Sequence, residues 1–228
     1  SSELTNIIGD EYRSEVRRRL IILNLAEEKN EGRSSSYILT GLGKSLKEIC
    51  YFDEELLPDL FHFLHMMYYS DDAKSPKMLW SYASCSKLFW NYGELLPNKE
   101  LASIIQNKIK SEFPSLDYSA PKGGRFDHYA AGRWVNYVKN LTPSPVDENK
   151  KLKKRIVPRY ELILLSLSHL YFSRKYRFGD PILIGSDILD EISSIFFLDQ
   201  GCSKNLINLA VKLSPLISKQ DTYGGMSL

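Results

Sequence analysis

Apolar residues recur at three- and four-residue spacing through most of this chain, and that period restricts it to a largely helical fold. "DEYRSEVRRRLIILNLAEEK" shows the pattern early: Tyr12, Val16, Leu20 and Leu23 make one apolar face. "DEELLPDLFHFLHMMYYS", "SPKMLWSYASCSKLFWNYG", "NKELASIIQNKIKSEF" and "FDHYAAGRWVNYVKNL" continue it, with Pro58 and Pro76 where a first helical turn tolerates them and Pro114 as a stop. "YELILLSLSHLYFS", "DILDEISSIFFL" and "SKNLINLAVKL" come after as three more helices. Runs with strand character are short, chiefly "YILT" and "LISKQDT" before the turn signal "YGG". The fold class expected is mainly α with short β-hairpins.

Composition narrows the class further. Hydrophobic residues are 43% and charged residues 25%, which describes a chain with a packed core and a polar surface. A net charge of +2 means that any attraction for a polyanion must come from local clustering. Three widely spaced cysteines, Cys50, Cys85 and Cys202, supply neither a disulfide framework nor a zinc spacing, and point to a reducing, cytoplasmic compartment. The longest apolar runs are interrupted by Arg, Asp or Ser, so no membrane span is expected.

The punctuation divides the chain into four expected parts: 1–50, a winged helix-turn-helix; 51–142, an aromatic-rich helical module; 143–155, a basic linker; and 156–228, a carboxy-terminal helical module. The linker expectation rests on "TPSPVDENKKLKKR", two prolines beside a run of charge. In the last part the order helix, helix, strand, turn suggests a second winged-helix-like unit with its wing at Tyr223 to Gly225, although its second helix offers only Lys204 and Lys212.

The candidate functional residues are basic. Ser2 and Asp10 sit where helix caps belong, with a turn at Gly9 between them. In the longer second helix Arg13, Ser14, Arg17 and Arg18 fall away from the apolar face. Guanidinium forks suit phosphate and guanine edges. The bland alternative is a solvated face with helical ion pairs worth roughly 0.2–0.5 kcal/mol each. "PKGGRFDHYAAGRWVNYVK" interleaves Lys122, Arg125, Arg133 and Lys139 with Phe126, Tyr129, Trp134 and Tyr137 after a Gly-Gly loop. Such a segment can hold phosphates and stack on a base, or be an amphipathic core helix with a charged rim. "KKLKKR" is either a solvated linker or a site of salt-sensitive phosphate attraction.

Other chemistry is weakly signalled. "GLGKS" lacks the glycine five residues before Gly43, where Ile38 stands, so it is not a nucleotide-binding loop. His62 and His65 share a helix face, but apolar neighbours and the lack of a ligand set favour a packing role. Asp127 and His128 are adjacent and so point to different helix faces. No catalytic residue, metal site or cofactor is expected.

The segment after the arginine-rich helix carries a resemblance. "LAEEKNEGRSSSYILTGLGKSL" reads strand, polar glycine-containing tip, strand, helix, and "YILTGLGKSL" (Tyr37 to Leu46) resembles the "Y-x-L-T-x-x-G-K" segment of many prokaryotic winged-helix proteins. The resemblance covers about residues 2–50. It implies that the 10–24 helix takes the recognition position and that Lys29 and Arg33 lie on the wing near the phosphate backbone. More faintly, "LTGLGKSL", "LLPDLFHFLH", "LFWNYGELLPNKELASII" and the "FFLD" segment resemble an uncharacterised prokaryotic family found beside DNA phosphorothioate-modification and anti-phage genes. That likeness implies a DNA-associated defence role. The expectation is therefore a non-catalytic protein that binds double-stranded DNA, with a scaffold or adaptor subunit of a larger protein complex as the alternative, motivated by 12% aromatic content.

Overall fold

The computed structural model describes residues 10–31, 34–67, 77–114, 126–177, 179–218, 220–222 and 225–227. It is mainly helical with short antiparallel hairpins. The expected caps at Ser2 and the turn at Gly9 lie outside the described residues. The chain divides into two compact units, Ser1–Leu57 and Pro58–Leu228, so the division differs from the boundaries expected at 50, 142 and 155.

In the first unit, α1 (Asp10–Ile22) leads into β1 (Ala26–Glu31), which pairs antiparallel with β2 (Ser34–Leu39) before α2 (Gly41–Phe52). The strands run further into "NEGRSSS" than a plain loop would, with Glu31 opposite Ser34. α1 stops at Asn24, whose φ of 54° is left-handed, and the Leu25 N–H closes back on the Leu20 carbonyl at 2.7 Å. The "LTGLGK" stretch then has a structural explanation. Thr40 Oγ1 donates to the Asn24 carbonyl at 2.6 Å and accepts from the Gly43 N–H at 3.1 Å, which caps α2 and ties it to the end of α1. A Cβ on Gly43 would lie 1.9 Å from the Leu25 carbonyl oxygen, so only glycine allows this approach.

The second unit contains α3 (Leu57–Met67), α4 (Lys77–Tyr92), α5 (Asn98–Glu112), α6 (His128–Lys139), α7 (Glu161–Arg174), β3 (Leu183–Ile184), α8 (Ser186–Ile195), α9 (Gln200–Leu213), β4 (Gln220–Thr222) and β5 (Gly225–Ser227). β3, β5 and β4 form a three-stranded antiparallel sheet in that order. Tyr223 and Gly224 of the expected second wing lie outside the described residues. Leu101, Ile105 and Ile109 of α5 pack with Phe89 of α4 and with Trp134 and Val138 of α6 in one buried cluster. Polar groups inside it are satisfied: Trp134 Nε1 donates to Ser86 Oγ at 3.1 Å, and Ser86 Oγ donates to the Tyr82 carbonyl at 3.1 Å. Among the described residues no helix is long and apolar enough to cross a membrane.

The 143–155 stretch is not a solvated linker. Lys151, Lys153 and Lys154 are exposed, but Leu152 is half-buried and Arg155 is only 1% exposed. Isolated bridges pair Glu94 with Lys151, Val146 with Leu152 and Arg155 with Leu198. The Arg155 guanidinium faces Asp59 of α3, with Nη1 at 2.6 Å from Oδ1 and Nη2 at 3.0 Å from Oδ2. Its remaining N–H groups donate to the carbonyls of Pro143 (2.8 Å), Thr142 (2.7 Å) and Phe196 (3.2 Å). Each donor has an acceptor, which is what makes a fully buried guanidinium tolerable. The charge run fails as a linker because one of its cations turns inward to an acid far away in the chain.

His62 and His65 are both buried on α3. The geometry gives His62 a neutral tautomer: Nε2–H donates to the Ile195 carbonyl at 2.6 Å, and Nδ1 accepts from the Tyr82 hydroxyl at 2.7 Å. Burial, aided by the nearby Arg155 charge and opposed by the Ile195 carbonyl, pulls its pKa down to about 3. His65 Nδ1–H donates to the Phe61 carbonyl at 2.6 Å. Among the described residues no group of three or more His, Cys, Asp or Glu side chains is placed to hold a metal ion.

These buried polar groups set two expected outcomes. Arg155→Met leaves the Asp59 carboxylate buried without its partner and is expected to cost about 3–5 kcal/mol. Arg174→Ala, which breaks the half-exposed Arg174–Glu191 pair, is expected to cost at most about 1 kcal/mol. Urea unfolding of both variants checks this, and equal losses would contradict it. For His62 the unfolded ring takes up a proton below its ordinary 6.5 while the folded ring stays neutral down to about 3. Stability is therefore complete above 6.5 and falls with pH through that window. Relative to His62→Gln, the wild type is expected to lose about 1.4 kcal/mol per pH unit there.

Candidate nucleic-acid interface

α5 and α6 pack side by side, and their outer faces border an open groove of about 1220 Å³. One face of α6, with Ala131, Trp134 and Val138, is buried in the core. The opposite face turns Tyr129, Arg133, Asn136 and Lys139 to the groove. Asn98 and Lys99, at the start of α5, form a second wall, and Leu95, Leu96 and Lys150 close one end. A Cβ at Gly132 would lie 3.2 Å from Asn98 Nδ2, so the Asn98 side chain packs close over this position of α6. Phe126 N–H donates to Gln106 Oε1 at 2.8 Å and fixes the entry to α6 against α5.

A smaller groove of about 370 Å³ shares Lys99, Asp127 and His128 with the first and extends along α5 to Gln106 and Lys110. Among the described residues the two grooves are lined by five cations (Lys99, Lys110, Arg133, Lys139 and Lys150) and one carboxylate, Asp127. That carboxylate is already engaged: one oxygen accepts from the backbone N–H groups of Tyr129 (3.1 Å) and Ala130 (2.9 Å) and caps α6. Its charge offsets the positive end of its own helix and little of the groove potential. α5 begins after Pro97 with no side-chain cap, and the Glu100 carboxylate in its first turn offsets the positive end of that helix. The main groove exceeds the roughly 300–1,000 Å³ of small-molecule pockets, and its openness suits an extended ligand.

The residues expected to contact DNA are distributed over both units. Arg133 lies in the groove. Lys122, Arg125 and Arg33 lie outside the described residues. Arg13 and Ser14 belong to α1, but their side chains lie outside the description. Arg17 and Arg18 are exposed on α1, and the Arg17 guanidinium sits 5.0 Å from the centroid of the Tyr37 ring. Lys29 is exposed on β1 opposite Ser36. Tyr37 pairs with Glu28 in the ribbon and donates to its carboxylate at 3.3 Å, so it shares a face with Arg17. Lys29 is one residue along and projects from the other face, beside exposed Glu27. Arg17 and Lys29 therefore do not join in one basic surface across the ribbon.

Sequence reasoning leaves Lys99 and Lys110 out of the site and includes Lys150 only within "KKLKKR", read as either a linker or a site of phosphate attraction. Lys99 and Lys110 are eleven residues apart, close to three helical turns, and this repeat on the polar side of "NKELASIIQNKIKSEF" was the available signal. Nothing local distinguishes Lys150 from the other lysines of that run; it reaches the groove because the 146–155 stretch folds back beside Gly93 and Leu95. The Leu95 N–H donates to the Lys150 carbonyl at 2.8 Å, and the Leu152 N–H to the Gly93 carbonyl at 2.7 Å. Among known proteins, no family model, curated protein or solved structure matches the chain.

Proposed function

We propose that this is a DNA-binding protein whose principal phosphate-contacting surface is the α5–α6 groove, with the exposed Arg17 and Arg18 of the first unit as a second contact. The observation that carries the reading is that, among the described residues, five cations and one capping carboxylate line the two adjoining grooves. Lys99 and Lys110 are separated by about 16 Å along α5. That span suits an anion repeated every ~3.4 Å along a strand better than a single phosphate. The helix–hairpin–helix order of the first unit supports a winged-helix reading of residues 10–52, and the arginines of α1 then occupy its recognition position. On this reading the protein holds DNA without cutting or modifying it. A role in a prokaryotic anti-phage defence or DNA-modification assembly forms part of the proposal, on the strength of the family resemblance alone.

Binding of a fluorescent duplex across a salt titration tests the reading. If Lys99, Arg133 and Lys139 each neutralise one phosphate, replacing all three by alanine lowers the slope of log K against log salt by about 2.7. Arg17→Ala with Arg18→Ala is expected to lower it by about 1–2. A triple variant that binds like the wild type at every salt concentration would refute the groove as the contact surface.

A further inference from the structure

The groove carries a second kind of surface besides its charges. Tyr129 stands in the first turn of α6, away from the buried Ala131–Trp134–Val138 face, and is 66% exposed. Among the described residues the one aromatic ring it meets is the neighbouring His128, at 4.0 Å between centroids and 37° between planes, and its hydroxyl makes no hydrogen bond. An exposed tyrosine offers a flat ring face for stacking together with a polar hydroxyl. Around it the groove sets Lys99 and Arg133, cations of the kind that attract phosphate, and Asn98 and Asn136, whose amides both donate and accept. Phosphate, ring face and base edge are the three things a nucleotide presents, and this groove has a partner for each.

A duplex does not present them together. Its bases are stacked on one another, and a ring on the rim of a groove reaches a base face only where pairing is broken. We propose, building on the DNA-binding reading, that the groove holds a single-stranded segment of DNA, with an unpaired base stacked on Tyr129 and the flanking phosphates on Lys99 and Arg133. The preferred ligand is then a duplex bearing a single-stranded tail or an opened stretch. The two outer cations, Lys110 and Lys150, lie towards opposite ends of the combined groove and receive the strand on either side.

The test uses the full chain and two labelled probes: a blunt duplex, and the same duplex carrying a single-stranded tail of about ten nucleotides, within the usual site size of single-strand binders. The wild type is expected to bind the tailed probe about 5- to 150-fold more tightly, the range for stacking one base on an aromatic ring. Tyr129→Ala is expected to erase that preference while leaving the salt slope unchanged, since no charge is removed; Tyr129→Phe is expected to keep it. Equal affinity of the wild type for both probes overturns the proposal, as does a preference that survives in Tyr129→Ala. Failure of the underlying DNA reading has a different signature, in which neither probe binds at low salt or the Lys99/Arg133/Lys139 triple variant binds both as the wild type does, and it removes the proposal with it.

Discussion

The second unit is organised around one buried guanidinium. Arg155 takes the Asp59 carboxylate with both terminal nitrogens and three backbone carbonyls with its remaining donors. Its own backbone also bridges to Phe197 (2.7 Å) and to Asp199 (2.9 Å). Three separate stretches, α3, the 142–143 turn and the 196–199 junction between α8 and α9, therefore meet at one side chain. A buried ion pair of this kind contributes little net stability against an apolar replacement of the same shape, because desolvation offsets the Coulomb attraction. What it supplies is position. The carbonyls that Arg155 needs exist only in this arrangement of chains.

That positioning reaches the groove by a short mechanical path. With Arg155 fixed, the 146–155 stretch lies along residues 93–95, which sets Lys150 and the chain entering α5 at the groove's end. From the other side the α4–α5–α6 core holds Trp134 and Val138 inward, and the helical period then commits Tyr129, Arg133, Asn136 and Lys139 outward. The groove charge is the by-product of two helices packed for apolar reasons whose groove-lining residues, among those described, are mostly cationic. Asp127 caps α6, and among the described residues the lining holds no second carboxylate. The first unit uses different means, a threonine cap and a glycine contact, to hold an arginine-bearing helix against a hairpin.

The legible part of the fold was the part governed by local spacing. α2, α5, α6 and α7 fall on the periodic segments that announce them, because a core-facing stripe at three- and four-residue intervals has few other uses. α8 is shorter than "DILDEISSIFFL" suggests, ending at Ile195 so that Phe196 and Phe197 can turn, and α9 starts early at Gln200 under its Asp199 cap. The illegible part depends on pairs distant in sequence. Arg155 sits among four lysines, and nothing in "KKLKKR" distinguishes it; its partner is 96 residues away. The groove was half visible for the same reason. Arg133 and Lys139 declare themselves on one aromatic helix, but Lys99, Lys110 and Lys150 join them only through packing. The Arg17–Lys29 surface illustrates the converse: adjacency in a motif says nothing about which side of a two-residue repeat a side chain takes.

Hydrogen–deuterium exchange of the full chain with and without tailed DNA is the most direct measurement of where the strand lies. The account predicts slowed exchange in residues 95–101 and 126–139, the two groove walls, with a smaller effect over α1. Slowing confined to other elements, such as α9 from Gln200 to Leu213, with both groove walls unchanged at saturating DNA, would contradict it.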